Sequence, residues 1–227
     1  MRQHRGSEAR VSVLQPATAP DVAHHAQRQR IVDAMIESCA EKTYAATTIT
    51  DIVARARISR TTFYKQFEDK RACFDAAIDF CLEELQRIAA AAHSPSDPAA
   101  DAARKGATAV VEALAERPGL AQLLTGDAIA VDPMAIERYR KATLPALNAL
   151  WSEDGEVDTH TDPRLAFGQA QVLILNQIVA GEIKGLPELL PEIVYLAVSP
   201  YAGHEEALAQ SRLVKNAKIG SATGSDR

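Results

Sequence analysis

Two helix-opening residues, Thr48 and Ser59, constrain this chain more than any other feature of its 227 residues. Thr48 has Asp51 three positions on, a short-armed capping box, and Ile49, Ile52, Val53 and Ala56 follow at i, i+3, i+4 and i+7. Ser59 stands three residues beyond Ala56 and is a second good N-cap. The segment after it places Phe63 and Phe67 one turn apart on one face. Two short helices joined by a tight turn are therefore predicted within residues 48 to 67.

Helical spacing governs the rest of the chain as well. From Gln27, Ile31, Met35 and Cys39, with Val32, Ile36 and Ala40, form a stripe that stops near Thr43-Tyr44. A long helix opens at Glu68-Asp69-Lys70 and carries Phe74, Ile78, Cys81, Leu85 and Ile88 toward the break at Ser94-Pro95-Ser96. Asp97-Pro98, Asp132-Pro133 and Asp162-Pro163 each put a capping residue before a proline, which marks three more helix starts. Arg117-Pro118-Gly119 and the acidic loop 152–161 read as stops, and Pro145 is expected to kink the helix running from Pro133 toward Trp151. Residues 163–183 are apolar around much of their circumference; 187–198 and 204–214 follow as helices, separated by Ser199-Pro200.

No alternating strand pattern or internal repeat occurs, and the 47% of hydrophobic residues are mostly Ala, Leu, Ile and Val, with only 5% aromatics. The expected fold is all-α. It divides into an N-terminal arm (1–23), a three-helix head (24–75), a larger helical body (76–214) and a tail (215–227), the arm and tail both expected to be flexible. No run approaches the roughly 18 apolar residues of a membrane span, and Val11 to Leu14 is too short for a signal-peptide core, so a cytoplasmic location without membrane contact is expected. Cys39, Cys73 and Cys81 are too few and too irregularly placed for a disulfide framework or a zinc site, and read as reduced core thiols.

The formal net charge of -5 disfavours nucleic acid only as an average. Residues 55–71 hold six basic side chains (Arg55, Arg57, Arg60, Lys65, Lys70, Arg71) against Glu68 and Asp69. Residues 1–75 carry 12 basic and 9 acidic groups, net +3, and residues 76–227 carry 13 and 21, net -8. The charge is polarised toward the end that would meet a polyanion. With Phe63 and Phe67 buried, the helix opening at Ser59 turns Thr61, Thr62 and Lys65 outward, with Tyr64 and Gln66 more lateral. A helix entering the major groove by its N-terminal end presents its first turn, here Arg60 and Thr61, to base edges, and Arg60 suits guanine best.

The run Thr48-Ile49-Thr50-Asp51-Ile52-Val53-Ala54-Arg55-Ala56-Arg57-Ile58-Ser59-Arg60-Thr61-Thr62-Phe63-Tyr64-Lys65-Gln66-Phe67-Glu68-Asp69-Lys70 resembles the helix-turn-helix signature of the TetR/AcrR family of transcriptional regulators, over roughly residues 28 to 75. The resemblance implies a DNA-binding head on an effector-binding body, working as a homodimer on a palindromic operator, most simply as a ligand-responsive repressor. It places Thr48 and Lys70 on phosphate, Arg60 and Thr61 near bases, and Tyr64, Lys65 and Gln66 on the DNA backbone. The family usually has glycine where this chain has Arg57, so a left-handed turn there would be strained, a cost that a phosphate contact would offset. Position 61 is often glycine or another small residue, and Thr61 adds a methyl and a hydroxyl in the groove.

In the body, Arg104, Tyr139, Trp151, Phe167, Gln171 and Asn176 are the candidate effector-binding residues, the amides because a buried amide within an apolar helix needs a partner. The apolar helices over about 163–198 form the expected homodimer surface. No cofactor or metal is expected. His24-His25, His160 and His204-Glu205-Glu206 lack the His-Glu-x-x-His spacing, and no Gly-x-Ser-x-Gly elbow or phosphate loop supports an enzyme. The competing readings are a helical interaction protein that kept the head but lost DNA binding, which the basic surplus of residues 55–71 opposes, and a small all-α enzyme.

Overall fold

The computed structural model describes residues 19–132, 134–151 and 159–224, and all regular structure among them is helical. Three helices make the head: α1 (Ala19–Lys42), α2 (Ile49–Ala56) and α3 (Arg60–Gln66). The long α4 (Lys70–Ala91) leads into the body, which comprises α5 (Ala99–Glu116), α6 (Pro118–Ala121), a π turn (Gln122–Asp127), α7 (Ala128–Val131), α8 (Ala135–Asn148), α9 (Pro163–Val179), a 3-10 turn (Ile183–Leu189) and α10 (Leu190–Gly224). α1 begins upstream of the apolar stripe that starts near Gln27, and residues 1–18 of the N-terminal arm lie outside the described residues.

Local chemistry explains the head. Thr48 Oγ1 accepts from Asp51 N–H (3.2 Å) while Asp51 accepts from Thr48 N–H (2.9 Å), so two donors at the start of α2 are satisfied reciprocally. Ser59 Oγ accepts from Thr62 N–H (3.0 Å) at α3, and Asp69 from Ala72 N–H (2.7 Å) at α4. Phe63 is fully buried, its ring 5.8 Å from that of Phe67, among Ile31, Met35, Ile52 and Phe74. The three cysteines are buried and unpaired, and burial pushes each thiol up to about 12.

The body departs from the sequence expectation at four points. Residues 118–131 are helical, because Pro118 takes the first position of a new helix, where its missing N–H costs nothing. At Asp97-Pro98 the helix opens at Ala99 without a side-chain cap, since Asp97 instead accepts from Ser94 N–H (2.8 Å) and pairs with Lys105 (2.8 Å). Pro200 stays inside α10, and the break comes at Gly203, whose φ of 77° only glycine adopts readily. The Pro200 carbonyl, in the turn before that break, accepts His160 N–H (2.6 Å). Asp132-Pro133 opens α8 two residues late, at Ala135, and Pro133 itself lies outside the described residues. Asp162-Pro163 does open α9, with the Asp162 carboxylate on Arg164 N–H (2.9 Å).

An ionic ladder ties α4 to α8. Arg71 pairs with Asp75 (3.0 Å) one turn along α4, and Arg138 of α8 reaches Asp75 (3.4 Å) and Asp79. The core of the body gathers Val111, Leu114, Leu123, Leu186, Val194 and Val198 where α5 lies against α10 and the 3-10 turn.

Candidate nucleic-acid interface

α2 ends at Arg57, which takes φ 55° and ψ 51°, the left-handed conformation. The following Ile58 N–H returns to Val53 O (3.1 Å), and Ser59 begins α3. Arg57, Ile58 and Ser59 therefore make the whole turn. On α3 the buried side is Phe63, with Phe67 just beyond its end, and Arg60, Thr61, Tyr64 and Lys65 are exposed. Thr62 is half-buried, its hydroxyl 2.9 Å from Ser59 Oγ.

The basic surplus of residues 55–71 separates into two groups. Arg55 pairs with Glu37 (3.1 Å) and Glu41 of α1, Arg71 belongs to the ladder on α4, and Lys70 donates to Tyr44 O and Thr47 O (2.9 Å each) with its ammonium 4.1 Å from the Tyr44 ring centre. These three are occupied within the protein. The side chains of Arg57, Arg60 and Lys65 have no ion-pair or hydrogen-bond partner among the described residues, and all three are exposed. Unpaired cations that converge on one turn and one short helix form a surface ready for phosphate.

Two further predicted residues hold the head together. Thr48 caps α2, and its hydroxyl also lies 2.8 Å from Asp51 Oδ2. Hydrogen bonds from Lys42 and from Thr48 hold the Asp51 carboxyl well below the usual carboxylate range. Gln66 reaches back to α1, with Nε2 3.1 Å from His24 Nδ1 and 3.4 Å from Gln27 Oε1. Sequence spacing had no means of finding the Lys70 and Gln66 contacts, since both partners lie more than twenty positions away.

The six body candidates sit in separate surroundings. Arg104 donates to Gln210 (2.6 Å) and Asp101 (3.2 Å), Tyr139 is buried with its hydroxyl on Leu124 O, and Trp151 stacks on Tyr201 with centroids 4.4 Å apart. Phe167 and Gln171 are half-buried on α9, and Asn176 is exposed there rather than buried. Two grooves open on the surface. One of about 750 Å³ between α1 and α4 is lined by His25, Arg28, Asp79, Phe80 and Glu83. The other, about 910 Å³, is lined chiefly by apolar groups of α9 and α10, among them Leu165, Val172, Leu196 and Leu208. Neither lining includes any of the six. Among the described residues no histidine, cysteine or carboxylate group forms a metal cluster, and no helix is long and apolar enough to cross a membrane.

Residues 31–77 match the family model of bacterial regulatory proteins of the tetR family. A search of curated proteins finds no match. Among solved structures, the fatty acid degradation regulator FadR of Bacillus halodurans superimposes with a TM-score of 0.64 at 18% identity, covering 76% of this chain and 94% of that one. The regulator FadR of Bacillus subtilis, in complex with stearoyl-CoA, gives 0.63 at 17% identity over 77% and 98%. CprB of S. coelicolor A3(2), a TetR-family protein, gives 0.55 at 16% identity over 86% and 98%. At these identities the likeness is one of fold.

Proposed function

We propose a ligand-responsive transcriptional repressor that binds a palindromic operator as a homodimer, a reading supported by the match of residues 31–77 to the tetR family model and by the fold shared with its regulators over about three quarters of the chain. The observation that carries the DNA-binding part is the set of three unpaired cations, Arg57, Arg60 and Lys65, grouped on the turn and on α3. Arg60 and Thr61 read bases from the first turn of α3. Tyr64 and Lys65 hold the backbone, Arg57 contacts phosphate from the turn, and Ser59 and Thr62 present their hydroxyls beside it. Thr48, Gln66 and Lys70 set the posture of the helices, and the Lys70 ammonium, held by the Tyr44 and Thr47 carbonyls, does so in place of a phosphate contact.

Selection of bound sequences from a random duplex pool tests this reading; a palindrome is expected, and no enrichment over the starting pool would overturn it. On the selected duplex, Lys65→Ala weakens binding to every sequence and lowers the salt slope by about 0.9, the value for one phosphate contact. Arg60→Ala instead costs about 1–3 kcal/mol on the selected sequence and relaxes the preference at one position. Equal losses with an unchanged salt slope for both variants would refute the assignment.

Arg57→Gly gives an opposed pair of effects. A β-carbon in the left-handed region costs roughly 1–2 kcal/mol, part of which glycine returns through the entropy of the unfolded chain. The variant is expected to melt higher and to bind all duplexes more weakly. A variant with no gain in melting temperature, or with unchanged affinity, contradicts a strained residue kept for phosphate.

The dimer forms through α9 and α10. Leu165, Val172 and Val179 are 68%, 53% and 76% exposed in the single chain and recur at seven-residue spacing, the pattern of a helix that packs along a partner helix. Ile136, also exposed, lines the same groove as Leu165 and Val172. For the effector, Arg104, Tyr139, Trp151, Phe167, Gln171 and Asn176 are the residues to vary one by one, since they line neither groove and share no common surroundings. Stearoyl-CoA, bound by the B. subtilis regulator of the same fold, is the first compound to test for release of the selected duplex.

A further inference from the structure

Residues 118–127 of the body pack against α1 of the head. Gly119 of α6 lies so close to α1 that a β-carbon there would stand 2.6 Å from Ala40 Cβ. A few residues on, the chain widens into the π turn Gln122–Asp127, which packs against α1 and α4. Such turns are rare and recur at functional positions. The last residue of this one is a carboxylate in an unusual place: Asp127 is 6% exposed, and its Oδ2 has no hydrogen-bond partner.

Burial pushes the Asp127 carboxyl up, while the backbone N–H of Tyr44 and the ammonium of Lys70 favour its charged form; Cys39 of α1 is a further titratable neighbour. Lys70 itself donates to the carbonyls of Tyr44 and Thr47. The body, from Asp127, and the connecting helix, from Lys70, therefore meet at the same loop. That loop, 43–47, begins at Thr43 with φ 72° and delivers the chain to Thr48, the cap of α2. A buried carboxylate is expensive to keep where an apolar side chain would fill the space, so its retention points to a task.

We infer that Asp127 is a positioning residue for DNA binding, which holds the loop ahead of α2 against the body and so sets the separation of the two heads in the dimer. The inference rests on the DNA-binding reading above, and two variants of the full chain test it. Asp127→Ala removes the acceptor, and Asp127→Asn keeps an oxygen for Tyr44 N–H. Hydrogen exchange of the peptide spanning residues 43–47 is expected to accelerate in the alanine variant, with α5 and α10 as protected as before, and to return toward wild type in the asparagine variant. On the duplex selected by wild type, with its half-sites moved one base pair apart or together, wild type and the asparagine variant keep a spacing preference. The alanine variant loses most of it, by a factor in the range of typical site coupling, about 5 to 150.

Unchanged exchange in the alanine variant, or accelerated exchange with the spacing preference intact, overturns the role of Asp127. Failure of wild type to enrich any duplex overturns the DNA-binding reading instead, and the two failures are thereby distinct. If Asp127→Ala does not fold, Gly119→Ala, which presses α6 away from Ala40, is expected to give the same loss of spacing preference; retention of that preference counts against the inference.

Discussion

Val172→Asp is expected to convert the protein to a monomer and to cost it most of its affinity for a two-half-site duplex. Val172 is the middle member of the exposed row Leu165, Val172 and Val179, so in the proposed dimer a charge there would be buried beside its symmetry-related copy. An unpaired buried carboxylate with a like charge across the axis has no compensation, and association gives way. Joining two heads makes the second half-site an intramolecular contact, and such linkage raises affinity by about 10²–10⁴-fold. The expected loss on the full palindrome is of that order, while binding to a single half-site is unchanged. Sizing at micromolar concentration checks the first part and titration of both duplexes the second. A variant that still elutes as a dimer places the interface elsewhere.

Phe63→Ala is the second large effect. The side chain is fully buried, with the Phe67 ring 5.8 Å and the near-perpendicular Tyr64 ring 5.5 Å from its own between centroids, and truncation of such a residue costs about 3–5 kcal/mol. Net stabilities of whole domains are roughly 5–15 kcal/mol, so a head of three helices has little reserve against a loss of this size. The expected denaturation curve acquires an early step of small amplitude from the head, followed by the transition of the body. DNA binding disappears with the early step. A single transition shifted by less than about 1 kcal/mol would mean that the head does not depend on this anchor.

The two variants probe parts of the molecule that were unequally legible. Thr48, Ser59 and Asp69 cap their helices through atoms within three residues, and chemistry that local is written in sequence. Phe63 and Phe67 were equally readable, because one turn of helix decides which face they share. The helix over 118–131 was not, since Pro118-Gly119 has the composition of a stop. What makes glycine necessary there is the approach of Ala40, almost eighty residues earlier. The π turn and the burial of Asp127 likewise depend on α1 and α4 lying across them.

The site itself divides along the same line. That Arg57, Arg60 and Lys65 lie outward follows from helical geometry and one observed turn. That Arg55 and Lys70 are spent on Glu37, Glu41 and two carbonyls needed the tertiary arrangement. Charge counting over residues 55–71 therefore overstated the free cationic surface by the groups that the fold pairs within the protein.

The Lys70 clamp has a mechanical consequence. By fastening the loop ahead of α2 to the first residue of α4, it makes the head and that helix a single rigid arm. With 22 residues, α4 is about 33 Å long at 1.5 Å per residue. A swing of roughly 6° about its far end moves the head by about 3.4 Å, the rise of one base pair along a strand. A body that yields by only a few degrees would thus shift the fit to DNA by a whole step of the double helix.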